Sequence, residues 1–301
     1  MRRSRRFLVV GLLVLMLVLV LGVWRATHRV PRYAGRRLYE WIGELQSTDP
    51  LGKPFPADVV SRRENAQAAI RRIGTNALPF LMADLQANFT LKDAAYVWLS
   101  RLPFLNVQVP STVQDRWVRG IRGMEVLGPL AKPWLPELTA MATNSIDTGP
   151  WALLAVGSDA LPAMTNLLTS SGFPAKLYLI IALEDNVSED RIKPGEAVAA
   201  VPALLNALRS TDSYLWIAAA RALGTIHQQP ELCIPALADA VPDSSRDLRN
   251  ECITALGRFG RQATNATPLL ERACSDPDES VRTAASNALL RIERDIKWPS
   301  E

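Results

Sequence analysis

Val201-Pro202-Ala203-Leu204-Leu205, Ile234-Pro235-Ala236-Leu237 and Thr267-Pro268-Leu269-Leu270 are three copies of one short phrase, and their prolines stand 33 residues apart in both intervals. The residues that follow keep the same step. Leu215, Leu248 and Val281 are 33 apart, as are Leu223, Leu256 and Leu289, and Asp243 corresponds to Asp276. A fixed period of this size marks a repeat architecture: one unit is too small to bury its own apolar face, and stacked neighbours share a continuous core.

Gly224 and Gly257 give a reference for extending the pattern toward the N-terminus. A large aliphatic stands one residue earlier: Ile73, Leu99, Leu127, Val156, Leu183, Leu223, Leu256 and Leu289. Five residues earlier a small residue recurs (Ala69, Ala95, Gly123, Ala152, Ala219, Cys252, Ala285), with Leu179 the exception. The reference positions are then 74, 100, 128, 157, 184, 224, 257 and 290. Residues four apart share a helical face, and a small one there lets a neighbouring helix approach. The glycine is expected where a helix ends and the chain turns. Pro79, Pro133 and Pro162, five residues on, suit the first turn of the next helix. No stretch alternates apolar and polar residues in a sustained way, so strands are not expected. The predicted fold class is all-α. An α-solenoid of about seven to eight helical hairpins occupies residues 57–298, after a capping helix and linker over 38–56.

The stretch Asp276-Pro277-Asp278-Glu279-Ser280-Val281-Arg282-Thr283-Ala284-Ala285-Ser286-Asn287-Ala288-Leu289 resembles HEAT repeats, within them the short lyase-type HEAT-like repeat, whose pattern is Asp-x-x-x-x-Val-Arg-x-x-Ala-x-x-Ala-Leu. Asp243, Leu248-Arg249 and Ala255-Leu256-Gly257 match as well; Tyr214–Gly224 matches but has Trp216 where the arginine belongs. The resemblance covers about residues 57–296, strongly after Val198. It implies that the second helix of each pair lines a concave face. It also implies that aspartate and arginine form ladders between units, with Asp243 and Asp276 as structural caps and Arg249 and Arg282 as their partners. Trp216, Arg221, Arg249 and Arg282 are the candidate binding surface. Trp216 reads either as inter-repeat packing or as an interface anchor, the role tryptophan often takes.

The N-terminus carries a different message. Met1–Arg6 holds four arginines, and Phe7–Trp24 (FLVVGLLVLMLVLVLGVW) runs 18 residues without a charge. At about 1.5 Å per residue such a helix is long enough for the hydrocarbon core of a membrane. We read residues 1–6 as a cytoplasmic tail, 7–24 as an uncleaved signal anchor and 25–37 as a basic juxtamembrane linker. A cleaved signal peptide is the competing reading, with Val20-Leu21-Gly22 as its weak cleavage site. Five more arginines follow the span, so the positive-inside count is close to a tie. A six-residue tail stays inside more easily than a large body, which points to a single-pass protein of the bacterial inner membrane with a periplasmic body.

Removing the nine arginines of residues 1–37 leaves 25 basic against 30 acidic side chains, so the body is net acidic although the whole chain is +4. Nucleic-acid binding needs an excess of cations and is not expected. The two histidines, His28 and His227, have no readable catalytic partner. Cys233, Cys252 and Cys274 lack the C-x-x-C spacing of a zinc or redox site. Cys252 reads as a packing residue; a Cys233–Cys252 bridge across one unit is the other possibility. The acidic run Glu184-Asp185…Glu189-Asp190 reads as a solvated loop, and most tryptophans as core. Catalytic residues, cofactors, metals and a small-molecule substrate are therefore not expected. The expected role is a non-catalytic, membrane-anchored scaffold that binds a protein or peptide. A structural subunit of an envelope complex, or a HEAT-like enzyme of bilin lyase or DNA glycosylase type, are the alternatives, the last by fold analogy alone.

Overall fold

The computed structural model describes residues 30–45, 57–88, 112–145, 148–210, 212–242 and 245–297. The tail over 1–6, the span over 7–24, the reference position at 100 and Asp243 lie outside the described residues. Among the described residues no helix is long and apolar enough to cross a membrane. The chain divides into two compact units, Met1–Phe80 and Leu81–Glu301.

In the first unit, the segment read as a linker is folded from Val30 onward. Arg32–Tyr33 (β1) pairs antiparallel with Arg36–Arg37 (β2) through a two-residue turn. Ala34 and Gly35 both take positive φ, 48° and 79°, the geometry that lets two residues reverse a hairpin. This corrects the expectation of no strands: two-residue strands are too short to show alternation. Helix α1 (Leu38–Leu45) follows directly and buries Leu38, Ile42 and Leu45 against α2 (Ala57–Ile73). The Trp41 indole N–H donates to the Tyr33 carbonyl at 3.2 Å, and Arg36 lies 4.2 Å over the same ring while pairing with Glu44 at 2.9 Å. The hairpin is thereby fastened to the helix it precedes. Gly74 at φ 61° ends α2, as the repeat pattern expects. The division between the units falls within α3 (Leu78–Leu85).

The second unit is a two-layer stack of helices. One layer contains α4 (Val113–Leu127), α6 (Gly149–Leu154), α8 (Ala175–Ser188), α10 (Ser213–Ile226), α12 (Arg246–Arg258) and α14 (Glu279–Lys297). The other contains α5 (Leu135–Asn144), α7 (Leu161–Ser170), α9 (Val201–Ala207), α11 (Pro230–Ala240) and α13 (Thr267–Ala273). Each helix of the first layer touches the next in its own layer, and from α6 onward each also packs on the second-layer helix that precedes it in the chain. Short 3₁₀ segments, such as Glu196–Ala200 and Gly260–Ala266, lead into several helices of the second layer. Pro162, Pro202 and Pro268 stand at the second residue of α7, α9 and α13, where no N–H is needed. Pro235, by contrast, lies inside α11.

Helix starts repeat with the sequence period. Asp212, Ser245 and Asp278 are 33 residues apart. Their side-chain oxygens accept the N–H of Tyr214 (2.9 Å), Leu248 (3.4 Å) and Ser280 (2.9 Å), satisfying groups the helix leaves open. The expected core positions are buried too: Ala152, Ala219, Cys252 and Ala285, with Leu127, Val156, Leu223 and Leu256.

The reference position has two jobs rather than one. Gly128 (φ 50°) and Gly157 (φ 92°) do sit at turns. Gly224 and Gly257 are instead inside α10 and α12, and the turns come after them at His227 (φ 37°) and Gly260 (φ 53°). Their role is close approach. A Cβ on Gly224 would lie 2.7 Å from the Ala255 Cα, and one on Gly257 2.8 Å from the Ala288 Cα. Position 184 is a third case, a glutamate within α8.

Replacing a helical glycine by alanine ordinarily stabilises by about 1 kcal/mol. Gly257→Ala is expected to destabilise instead, by about 1–3 kcal/mol, because the added methyl overpacks a backbone contact. Gly43→Ala, in α1 with nothing within 4 Å of the new carbon, should stabilise. Urea denaturation followed by circular dichroism measures both signs.

Candidate functional site

Among the polar side chains of the second unit, some stitch helices together and others line a cleft. Trp216, Arg249 and Arg282 occupy one position in three successive repeats. The Trp216 indole N–H donates to the Ser210 carbonyl, six residues back. Arg282 does the same with a guanidinium, donating to the carbonyls of Asp276 (2.7 Å) and Pro277 (2.9 Å). Two unlike side chains thus satisfy the same exposed carbonyl of a tight turn. Trp216 is half-buried over that turn.

Arg249 reaches into the next repeat. Its Nε and Nη2 donate to the two Asp276 oxygens at 3.0 and 3.1 Å, a two-point bond of the kind guanidinium and carboxylate geometry favours. Asp276 also accepts the Asp278 N–H at 2.9 Å. The Arg249 bond first, and the Asp278 N–H second, hold the Asp276 carboxyl below its ordinary 3.8. Arg221 donates to Glu184 at 2.5 Å and ties α10 to α8.

That bond corrects the reading of residues 184–190. Glu184 to Ser188 are the last turns of α8, not a solvated loop. Glu184 is buried, and the Asp185 carboxylate accepts the Trp151 indole N–H at 3.1 Å. Asn186, 1% exposed, donates to the Ala182 carbonyl and accepts from Arg191. Helical periodicity failed here because the polar residues face a neighbouring helix and not water.

Sequence reasoning missed three further features. Four of the five described tryptophans are half-buried stitches more than core: Trp117 donates to the Ala87 carbonyl at 2.9 Å, Trp41 and Trp216 to backbone carbonyls as well, and Trp151 to the Asp185 carboxylate. Asp84, 2% exposed, is clamped by Arg116 (3.2 Å) and Arg119 (2.7 Å) of α4. The cysteines, for which packing and a bridge were both open, are not bridged: Cys233 and Cys252 are free and buried, and burial first of all pushes their thiols up to about 11 and about 12, so neither is a reactive thiolate.

The third missed feature is a cleft of about 510 Å³ at the C-terminal end of the first layer. Thr225, Arg258 and Arg291 line it; they stand 33 residues apart and so are one position in three repeats. His227, Arg294 and Asp295 complete its rim. Arg258 donates to the Thr225 hydroxyl at 2.5 Å, a neutral partner. Neither Arg258 nor Arg291 forms an ion pair among the described residues, whereas Arg294 lies 3.5 Å from Asp295. About two turns earlier on α12, Glu251 has its carboxyl pushed up by burial, with Arg221 and Arg258 pulling it back. The arginine column was legible in the 33-residue register; no motif advertised it.

Among the described residues no group of three or more histidine, cysteine or acidic side chains could hold a metal ion. Residues 234–296 match the HEAT repeats family, across α11 to α14. Together with the stacked helices, that match supports a HEAT-repeat protein. No curated protein matches the chain.

A group whose value is lower in the folded state adds stability above its unfolded value and loses it as pH falls through the folded one. Asp276→Asn is therefore expected to lower the melting temperature at neutral pH. Its gap to the wild type should narrow as pH falls below about 4, where both side chains are uncharged. Melting curves across that range check both halves.

Proposed function

We propose that the chain is a membrane-tethered HEAT-repeat scaffold that binds a protein or peptide partner along its closely packed helix layer and holds it at the membrane surface. The observation carrying this reading is the repeat itself. It aligns equivalent side chains of α10, α12 and α14 in columns, which gives an extended surface in place of one enclosed pocket. Helices that approach as closely as Gly224 to Ala255 suit the inner side of a curved stack. That is the face on which a solenoid receives an extended partner. Arg221 and Arg258 both act on the half-buried Glu251 carboxyl, so charge of both signs lies along this layer.

The tether rests on the sequence of residues 1–24. Arginines before an 18-residue uncharged run suit an uncleaved anchor with a cytoplasmic tail. In a bacterium the body is then periplasmic.

Two experiments test the two halves. Cross-linking of the full-length chain in its own membranes, followed by affinity purification, should recover a specific protein in more than trace amount. Recovery of the chain alone would sink the scaffold reading. An alkaline phosphatase fused after Glu301 should be active and sediment with membranes. An inactive fusion would put the body in the cytoplasm, and an active but released one would mean that the apolar segment is cleaved.

A further inference from the structure

The geometry points to the cleft around Arg258 and Arg291 as the seat of an extended acidic segment of the partner polypeptide. This rests on the scaffold reading and names the chemistry by which the partner is recognised.

Charge is the first ground. Arg258, Arg291 and Arg294 face the cleft with one carboxylate, Asp295, among its lining side chains. The body around them is net acidic, so this local excess of cations runs against the chain's own average. Arg258 is held in place by the neutral Thr225 hydroxyl and keeps its charge uncompensated by an ion pair. Arg291 is exposed and has no bonding partner among the described residues. Guanidinium groups so placed are suited to two-point bonds with carboxylates.

Shape is the second. At about 510 Å³ the cleft is far roomier than one oxyanion needs, and its lining is made mostly of polar side chains, Arg258, Arg291 and Arg294 among them. Sites for small molecules are enclosed and mostly apolar.

Spacing is the third. Arg258 and Arg291 hold the same place on adjacent packed helices, whose axes lie about 8–10 Å apart. Carboxylates two residues apart lie on one face of an extended chain and are separated by about 7 Å, a gap that the long arginine side chains can close from helices about 8–10 Å apart. One strand of acidic peptide thus meets both guanidiniums, and the His227 ring on the rim, held by its Nδ1 contact with the Thr225 carbonyl at 2.9 Å, bounds its course.

The test is fluorescence anisotropy of labelled hexaglutamate with the full-length protein at low and physiological salt. Saturable binding is expected, weakened at least tenfold by Arg291→Glu and by Arg258→Glu. Arg272→Glu, an exposed charge reversal in the other layer, should leave it unchanged. Arg291 has no bond to lose, so its variant keeps the test valid should Arg258→Glu misfold. Unlabelled hexaglutamate should displace the probe at a concentration at least tenfold lower than inorganic phosphate does. Equal affinity of wild type and Arg291→Glu, or equal displacement by phosphate, overturns the proposal. So does an Arg291→Glu protein that loses hexaglutamate but cross-links to its partner as before, an outcome that leaves the scaffold reading standing. A wild type that binds hexaglutamate yet cross-links to no protein removes the scaffold reading and the proposed occupant with it.

Discussion

The backbone contact between successive helices of one layer governs the second unit. Gly224 of α10 meets Ala255 of α12, and Gly257 of α12 meets Ala288 of α14, each so closely that a methyl group has no room. Close packing of this kind sets one helix spacing and one register. Every later regularity follows from it: caps at 212, 245 and 278, stitches at 216, 249 and 282, and the cleft column at 225, 258 and 291. A repeat whose helices stood further apart would keep its apolar core but lose these aligned columns.

Polar stitching solves a second problem. Each hairpin leaves turn carbonyls and helix ends that need donors, and in a stack they are partly shielded from water. The chain meets the need with whatever donor the position carries. Trp216 uses an indole and Arg282 a guanidinium for the same carbonyl. Buried acids are bracketed likewise, Asp84 by two arginines and Glu184 by Arg221. Removing one partner of such a link strands the other, so these side chains are bound to structure. Arg291 has no such bond among the described residues, and Arg258 has one only to the neutral Thr225 hydroxyl and none to an acid, and this is what separates the cleft from the ladder.

The N-terminal unit shows the same economy at small scale. A hairpin of two-residue strands has too few hydrogen bonds to persist alone. It is kept by Trp41, which takes the Tyr33 carbonyl with one edge and Arg36 with its face. Arg36, in the segment read as a basic juxtamembrane linker, is committed to this contact.

The all-α repeat, its period, its core positions and the family it resembles were all legible in the residue pattern, because burial of one helical face repeats whenever the unit repeats. The reference glycines at 74, 128 and 157 were read correctly as turns, since only a residue without a side chain tolerates that backbone freely. The glycines at 224 and 257 were misread, and the acidic run at 184–190 with them. Spacing along a chain cannot tell a turn from a close approach, or water from a neighbouring helix; both depend on what lies across the layer. The order of helices and the address suggested by residues 1–24 belong to the sequence alone. Which arginines are locked and which stand open was decided only in the folded stack, where residues 33 apart become neighbours.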